Sequence, residues 1–292
     1  MKRLFIPLTL AAALLSCGGA SFTPVQGFDD DTNRALKEFF ISTAEEPGRK
    51  VAVFDGDGTV FGQVPHYLAD ECLYRVALDN PGKKPEVIAR MVRLSNVSLP
   101  YVQDRVRFFE GDTAESLRDL GDRCYREHYA GKIYPPMRDL VRLLGRNGFE
   151  VWVVTASPEL MYQTFLSREL GIPAVRVIGV KSVIRGGVIT GEMVKPVPQD
   201  HGKKEAIETF VQERPLFVAG NSRGDREMIE HSRGLRMIVN PDEFVAPDQE
   251  ESIADFARRS GWLIVRVPDV WAPGFPSVSS KRFGIRENRE RK

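Results

Sequence analysis

Val51-Ala52-Val53-Phe54-Asp55-Gly56-Asp57-Gly58-Thr59-Val60 is the stretch that decides the fold. Four apolar residues run into two aspartates one residue apart. A short apolar run bounded by glycine reads as a buried strand, of the kind found in parallel sheets covered on both faces. Carboxylates at the C-terminal end of such a strand stand where open α/β sheets place their ligands. Gly56 and Gly58 let the chain bend around whatever lies between the two side chains. One carboxylate can then attack or bind metal while the other handles a proton. The rival reading is an Asp-Gly turn closing a hairpin.

The chain has 292 residues, 42% hydrophobic and 28% charged, with a formal net charge of +1. That is room for one large domain with an insertion, or for two domains. The near-neutral balance gives no basic footprint for nucleic acid. At the N-terminus Lys2 and Arg3 precede an apolar run from Leu4 to Leu15, the pattern of a secretory signal. Leu14-Leu15-Ser16-Cys17 resembles a bacterial lipobox, in which the cysteine becomes the lipidated first residue. The expectation is a signal peptide over residues 1–16 and a flexible tether over 17–30. The protein would then be exported and anchored through Cys17 to a membrane facing the periplasm. Cys72 and Cys124 remain; one disulfide and two small buried side chains both fit them.

Outward from the opening strand, Ala35, Leu36, Phe39 and Phe40 mark a helix over 32–43, with Thr32 or Asn33 as its cap. From Gly62 to Ile133 no strand pattern occurs. Helical spacing covers Tyr67 to Leu78, Val87 to Leu94 and Leu117 to Tyr129, with breaks at Pro81-Gly82, Pro100 and Gly111. Asp112 and Glu115 suggest a capping box. Arg90, Arg93, Arg105 and Arg107 read as solvated helix faces. The alternation of strands and helices resumes after Tyr134: strands at Phe149–Val154, Ala174–Val180, Leu216–Ala219, Arg236–Val239 and Trp262–Val267, and a hairpin over 183–194. The last residues are rich in Pro, Gly and Ser and end in a basic run from Lys281 to Lys292, diluted by Glu287 and Glu290; a mobile tail is expected there. The fold class is therefore α/β, a doubly wound, mostly parallel sheet with an inserted all-helical cap. The core takes residues 31–64 and 132–267, the cap 65–131 and the tail 268–292.

Polar residues gather at four strand or loop ends: Asp55 with Asp57, Thr155 with Ser157, Lys203, and Asn221 with Asp225. This order, D-x-D-G-T, a strand ending in Thr, Lys at a helix start, then G-N-S-x-x-D, resembles the haloacid dehalogenase superfamily. The resemblance spans about residues 49 to 265 and points to the phosphoserine-phosphatase-like and phosphorylcholine-phosphatase-like branch, whose helical cap lies between the first two motifs. It implies Asp55 as nucleophile, forming an aspartyl-phosphate. Asp57 would be general acid and then base. Thr155 and Lys203 would hold the phosphoryl oxygens, with the Gly56 backbone facing them. Mg²⁺ would be held by Asp55, the Asp57 carbonyl and Asp225. Asn221 stands where many relatives carry Asp, which leaves it to orient a metal-bound water.

These residue types suit the chemistry independently. Carboxylate and phosphate repel, so attack needs a divalent cation and a lysine. Oxygen ligands that leave room for water suit Mg²⁺. Neighbouring aspartates can separate their pKa values so that one keeps its proton. Ser157 competes with Thr155 as the phosphate hydroxyl, and Lys195 and Lys204 compete with Lys203. Ser222 and Gly224 read as turn residues. The glutamate that the resemblance places after the nucleophile to meet a substrate amine is Val64 here, near His66 and Tyr67, which argues against phosphoserine itself. The expected activity is a phosphomonoesterase acting on a small phosphorylated substrate. The alternative is a lipoprotein that uses the fold as a binding module.

Overall fold

The computed structural model describes residues 21–245, 247, 249–270 and 277–289. The signal and lipobox expectations, and the first part of the tether, lie outside these residues. Among the described residues no helix is long and apolar enough to cross a membrane.

Helix α1 (Asp30–Ser42) leads into strand β1 (Lys50–Phe54). Asp29 rather than Thr32 or Asn33 caps α1: its carboxylate accepts from Thr32 N at 2.7 Å. Asn33 instead ties down the preceding loop, accepting from Val25 N at 2.7 Å. Val25 is buried and the Phe22 ring lies 6.2 Å from that of Phe40, so residues 21–29 pack on the core instead of forming free tether.

The insertion is helical, as expected, but contains a helix that the sequence pattern hid. It comprises α2 (Leu68–Asp79), α3 (Pro85–Met91), α4 (Leu99–Phe108) and α5 (Ala114–Cys124), followed by a wider turn at Tyr125–Tyr129. Pro100 opens α4 rather than breaking the chain, because a first-turn residue has no intrahelical partner for its N–H. Thr113, not Asp112, caps α5, and Asp112 pairs with Lys83. Cys72 of α2 and Cys124 of α5 are disulfide-bonded across a separation of 52 residues. Replacing both cysteines by serine is expected to cost about 2–4 kcal/mol, read as a lower unfolding midpoint. An unchanged midpoint would show that the bond contributes nothing to the fold.

The core resumes with α6 (Pro135–Arg146), β2 (Phe149–Pro158), α7 (Glu159–Leu170) and β3 (Val177–Val180). The hairpin β4 (Ser182–Arg185) and β5 (Val188–Met193) follows, then α8 (His201–Ala206) and β6 (Phe217–Gly220). Helix α9 (Arg226–Glu230), β7 (Leu235–Val239), α10 (Ile253–Arg259), β8 (Leu263–Val265) and α11 (Val278–Phe283) complete the described chain. The third strand starts later than its apolar run, since Ala174–Arg176 form a tight helical turn.

Six strands form one parallel sheet in the order β3-β2-β1-β6-β7-β8. Alternate β1 side chains serve opposite faces. Ala52 and Phe54 join the cluster of α1, α6 and α7, while Val51 and Val53 join that of α8, α9 and α10. Each buried valine or phenylalanine contributes about 1.5–3 kcal/mol, so β1 is held from both sides. A central parallel strand excludes the hairpin reading of Asp55-Gly56. The chain leaves β1 towards β2 on one side and β6 on the other, which makes its C-terminal end the switch point where such sheets open a crevice.

The tail expectation is corrected in its described part. Phe283 of α11 lies 4.8 Å, ring to ring, from Tyr74 of the cap, and Ile285 is buried. Apolar Val278, Phe283 and Ile285 give this segment a face to bury despite its basic surface.

Candidate active site

The sheet register brings the sequence motifs to one level. Phe54 pairs with Val153 on one side and Ala219 on the other, and Asp55 N donates to Ala219 O at 2.9 Å. Asp55, Thr155 and Asn221 therefore leave adjacent strand ends together. They line one cavity of about 280 Å³ with Asp57, Lys203 and the cap residues Tyr67, Asn96, Val97, Val102 and Arg105.

Asp55 is 4% exposed. Lys203 Nζ donates to its Oδ1 at 2.6 Å and to Asp225 Oδ1 at 2.5 Å, and Thr59 Oγ1 donates to its Oδ2 at 3.1 Å. One ammonium thus serves two buried carboxylates. Burial pushes Asp55 up to about 7, with Lys203 pulling it back and the Asp225 charge adding to the rise. Burial opposes the charge of Lys203 too, yet Asp225 and Asp55 hold its ammonium above the usual lysine value. Lys204 faces Glu208 at the surface and Lys195 precedes Pro196 on an exposed loop, so geometry selects Lys203.

Asp57 is held differently. Ser157 Oγ donates to its Oδ2 at 2.8 Å and Tyr162 OH to its Oδ1 at 2.9 Å. Burial pushes Asp57 up to about 6, and those two hydroxyls, which favour the ionised form, restrain the rise. Ser157 is hydrogen-bonded to Asp57, and Thr155 Oγ1 accepts from Ser157 N at 3.2 Å; both residues border the cavity. A Cβ at Gly56 would lie 3.2 Å from Thr155, so the backbone there runs tight against the second strand. Gly58 has φ 79°, and a side chain on it would collide with Asn221.

Asp225 reaches the site through Lys203, which it shares with Asp55. Its Oδ2 accepts from Asn221 N at 2.9 Å, from Ser222 N at 3.0 Å and from Ser222 Oγ at 3.0 Å. With Oδ1 on Lys203, both oxygens are engaged within the protein and the residue does not border the cavity. Burial works against the Asp225 charge, but Lys203 and these donors hold the carboxyl below the usual range. Asn221, Ser222, Arg223 and Gly224 of the motif border the cavity.

The cap contributes residues that sequence reading passed over. Arg105 is 4% exposed, contrary to its solvated reading. Its Nη2 donates to Ala156 O at 2.9 Å, its Nη1 stands 3.6 Å from Asp70 Oδ1, and its guanidinium lies over the Tyr101 ring. The signal was present, since Tyr101, Arg105 and Phe108 share one helical face, but reading Pro100 as a break hid it. Tyr162 OH also accepts from Ala69 N of α2 at 3.3 Å, which links Asp57 to the cap backbone. His66 is buried and burial lowers its pKa; it lies outside the cavity lining.

A model of the haloacid dehalogenase-like hydrolases matches residues 52–230. The chain belongs to that family. Among curated proteins it is 28% identical over 162 residues to a phosphoserine phosphatase of Mycobacterium tuberculosis, across 54% of this chain and 49% of that protein. The chain spans about half the length of the curated relatives it matches. A protein of unknown function from Bordetella pertussis superposes with TM-score 0.59 at 17% identity, over 74% of this chain and 98% of that one. Another, from Anaerococcus prevotii, gives TM-score 0.61 at 16% identity, over 83% and 93%. Those likenesses support the fold. The helical insertion between β1 and β2 lies within the matched residues.

Proposed function

We propose that this family member is a Mg²⁺-dependent phosphomonoesterase for a small polar phosphate ester. The observation that carries the reading is the division of the two aspartates within one cavity. Asp55 sits on a lysine as an anionic nucleophile would, and Asp57 sits on two hydroxyls that fix the direction of its carboxyl. A binding module would have no use for that division.

The donors fit a small hard dication. One lysine faces two buried carboxylates, and the Asp225 charge adds to the raised Asp55 value, so the pocket is short of positive charge. Asp55, the Asp57 carbonyl and Asn221 would hold Mg²⁺, with Asp225 tethering Lys203. When bound, the ion would offset phosphate charge and polarise the P–O bonds.

Asp55 would attack phosphorus while Asp57 protonates the leaving oxygen. Lys203 and Thr155 would bind phosphoryl oxygens. Asp57, then ionised, would take a proton from the water that opens the aspartyl-phosphate. The relative's name brings phosphoserine into view, but Val64 supplies no charge for a substrate amine. Hydrolysis of p-nitrophenyl phosphate with Mg²⁺, abolished by EDTA and restored by added Mg²⁺, is the expected result. No hydrolysis under either condition would defeat the reading. The pattern over residues 1–17 and the disulfide in the cap support export to an oxidising compartment with anchorage through Cys17.

The hydroxyls on Asp57 lead to a pH prediction. A general acid works protonated, and a cation bound at Asp55 would keep that carboxyl ionised, so the phosphorylation step is lost as Asp57 ionises with rising pH. Tyr162→Phe removes a bond that favours the ionised form, so this alkaline limb should move to higher pH while the maximal rate falls about tenfold. A pH–rate profile identical to that of the unaltered protein would remove Tyr162 from the acid's support.

A further inference from the structure

We propose that the C-terminal segment is a clasp across the cap hinge, and that Asp269 and Asn288 thereby limit the size of the leaving group. The second part rests on the phosphomonoesterase reading. Two linkers, residues 62–67 and 130–134, lead into and out of the cap, and they lie side by side. Gly62 N donates to Lys132 O at 2.8 Å and Tyr134 N to Val60 O at 3.0 Å. Two adjacent crossovers are hinge geometry: such a cap swings unless something ties the linkers down.

Asp269 ties both. It is 1% exposed, accepts from Gln63 N at 2.8 Å in the first linker, and forms an ion pair with Lys132 in the second. The fit leaves no space, since a Cβ on Gly62 would collide with Asp269 Oδ1 and Lys132 Cε. Asn288 adds a second fastening. Its Nδ2 donates to Gln63 O at 2.8 Å, and its backbone N donates to Pro65 O at 2.7 Å.

Between these fastenings α11 stands on the first cap helix. Glu71 of α2 is fully buried and accepts from Val278 N at 2.8 Å, Ser279 N at 3.0 Å and Ser279 Oγ at 2.7 Å, while pairing with Arg75. A buried carboxylate thus caps the helix of the clasp from the cap side. Both fastenings lie C-terminal to the stretch matched by the family model. At the opposite rim Gln199 Nε2 donates to Val97 O, and Gln103 Nε2 of α4 donates to Gly191 O of the core hairpin at 2.7 Å. With hinge and rim both engaged, the cap stays seated over the cavity of about 280 Å³, and the clasp would keep that cavity from widening for bulkier esters.

The test compares the full chain with Asp269→Asn and with Asn288→Ala, the latter sparing the ion pair and so serving if the former does not fold. Backbone amides of residues 62–66 and 130–134 should exchange hydrogen about five- to tenfold faster in either variant, with β1 unchanged. The ratio of kcat/KM for 1-naphthyl phosphate to that for methyl phosphate should rise severalfold. Linker exchange equal to that of the unaltered protein overturns the clasp. Faster exchange with an unchanged ratio overturns its role in selecting size. If the unaltered protein hydrolyses neither ester, the phosphatase reading fails while exchange still decides the clasp.

Discussion

Asp55→Asn is expected to lower hydrolysis of p-nitrophenyl phosphate by about 10⁴-fold or more, the scale seen when a covalent nucleophile is removed. An amide oxygen is too weak a nucleophile to attack phosphorus, so the route through an aspartyl-phosphate closes. The same change should leave the fold intact. The Asn oxygen can still accept from Lys203 while its NH2 donates to the Thr59 hydroxyl, and burial, which raises Asp55, disfavours charge at this position. The informative experiment therefore pairs kinetics with thermal unfolding and with mass analysis of enzyme quenched during turnover. A phosphorylated peptide carrying Asp55 should appear in the unaltered protein and be missing from the variant. Retained activity with an unchanged unfolding midpoint would end the nucleophile assignment.

Lys203→Met should do the reverse and strike stability as hard as activity. It leaves Asp55 and Asp225 buried without their shared ammonium. Removing one partner of a buried charge group typically costs about 3–5 kcal/mol. A second change, Asp225→Asn, removes one of the two stranded charges and should recover part of that loss without recovering hydrolysis. If Lys203→Met unfolds at the same temperature as the parent, the ammonium is not the counter-charge described above. The pair of variants thus separates what Lys203 does for the fold from what it would do for phosphate.

Much of this arrangement was legible in the residue order. A buried strand of four apolar residues leaves one place for its following carboxylates, and Thr155, Lys203 and Asn221 follow at strand and helix ends for the same topological reason. The less legible parts depend on tertiary contact. Ser157 and Tyr162 lie in a strand end and a helix start whose periodicity says nothing about a partner a hundred residues away. Asp225, expected as a metal ligand, has one oxygen on the turn it closes and the other on Lys203, contacts that no sequence spacing announces. Arg105 was misplaced through one local signal, a proline taken as a stop where it was a start. The C-terminal residues were read by composition, which does not register that Glu71 in the cap offers their helix a buried cap.

The hydroxyl of Tyr162 has two neighbours whose fates are usually separate: the carboxyl of Asp57 in the core and the Ala69 N–H in the cap. A displacement of α2 that carries Ala69 away removes that donor from the tyrosine oxygen, while the ring stays packed on Phe61 and Phe165. With the cap seated, the core carboxyl and the cap backbone share one hydroxyl. With the cap lifted, Asp57 would keep its core partners, Ser157 and Tyr162, and those partners would lose their tie to the cap.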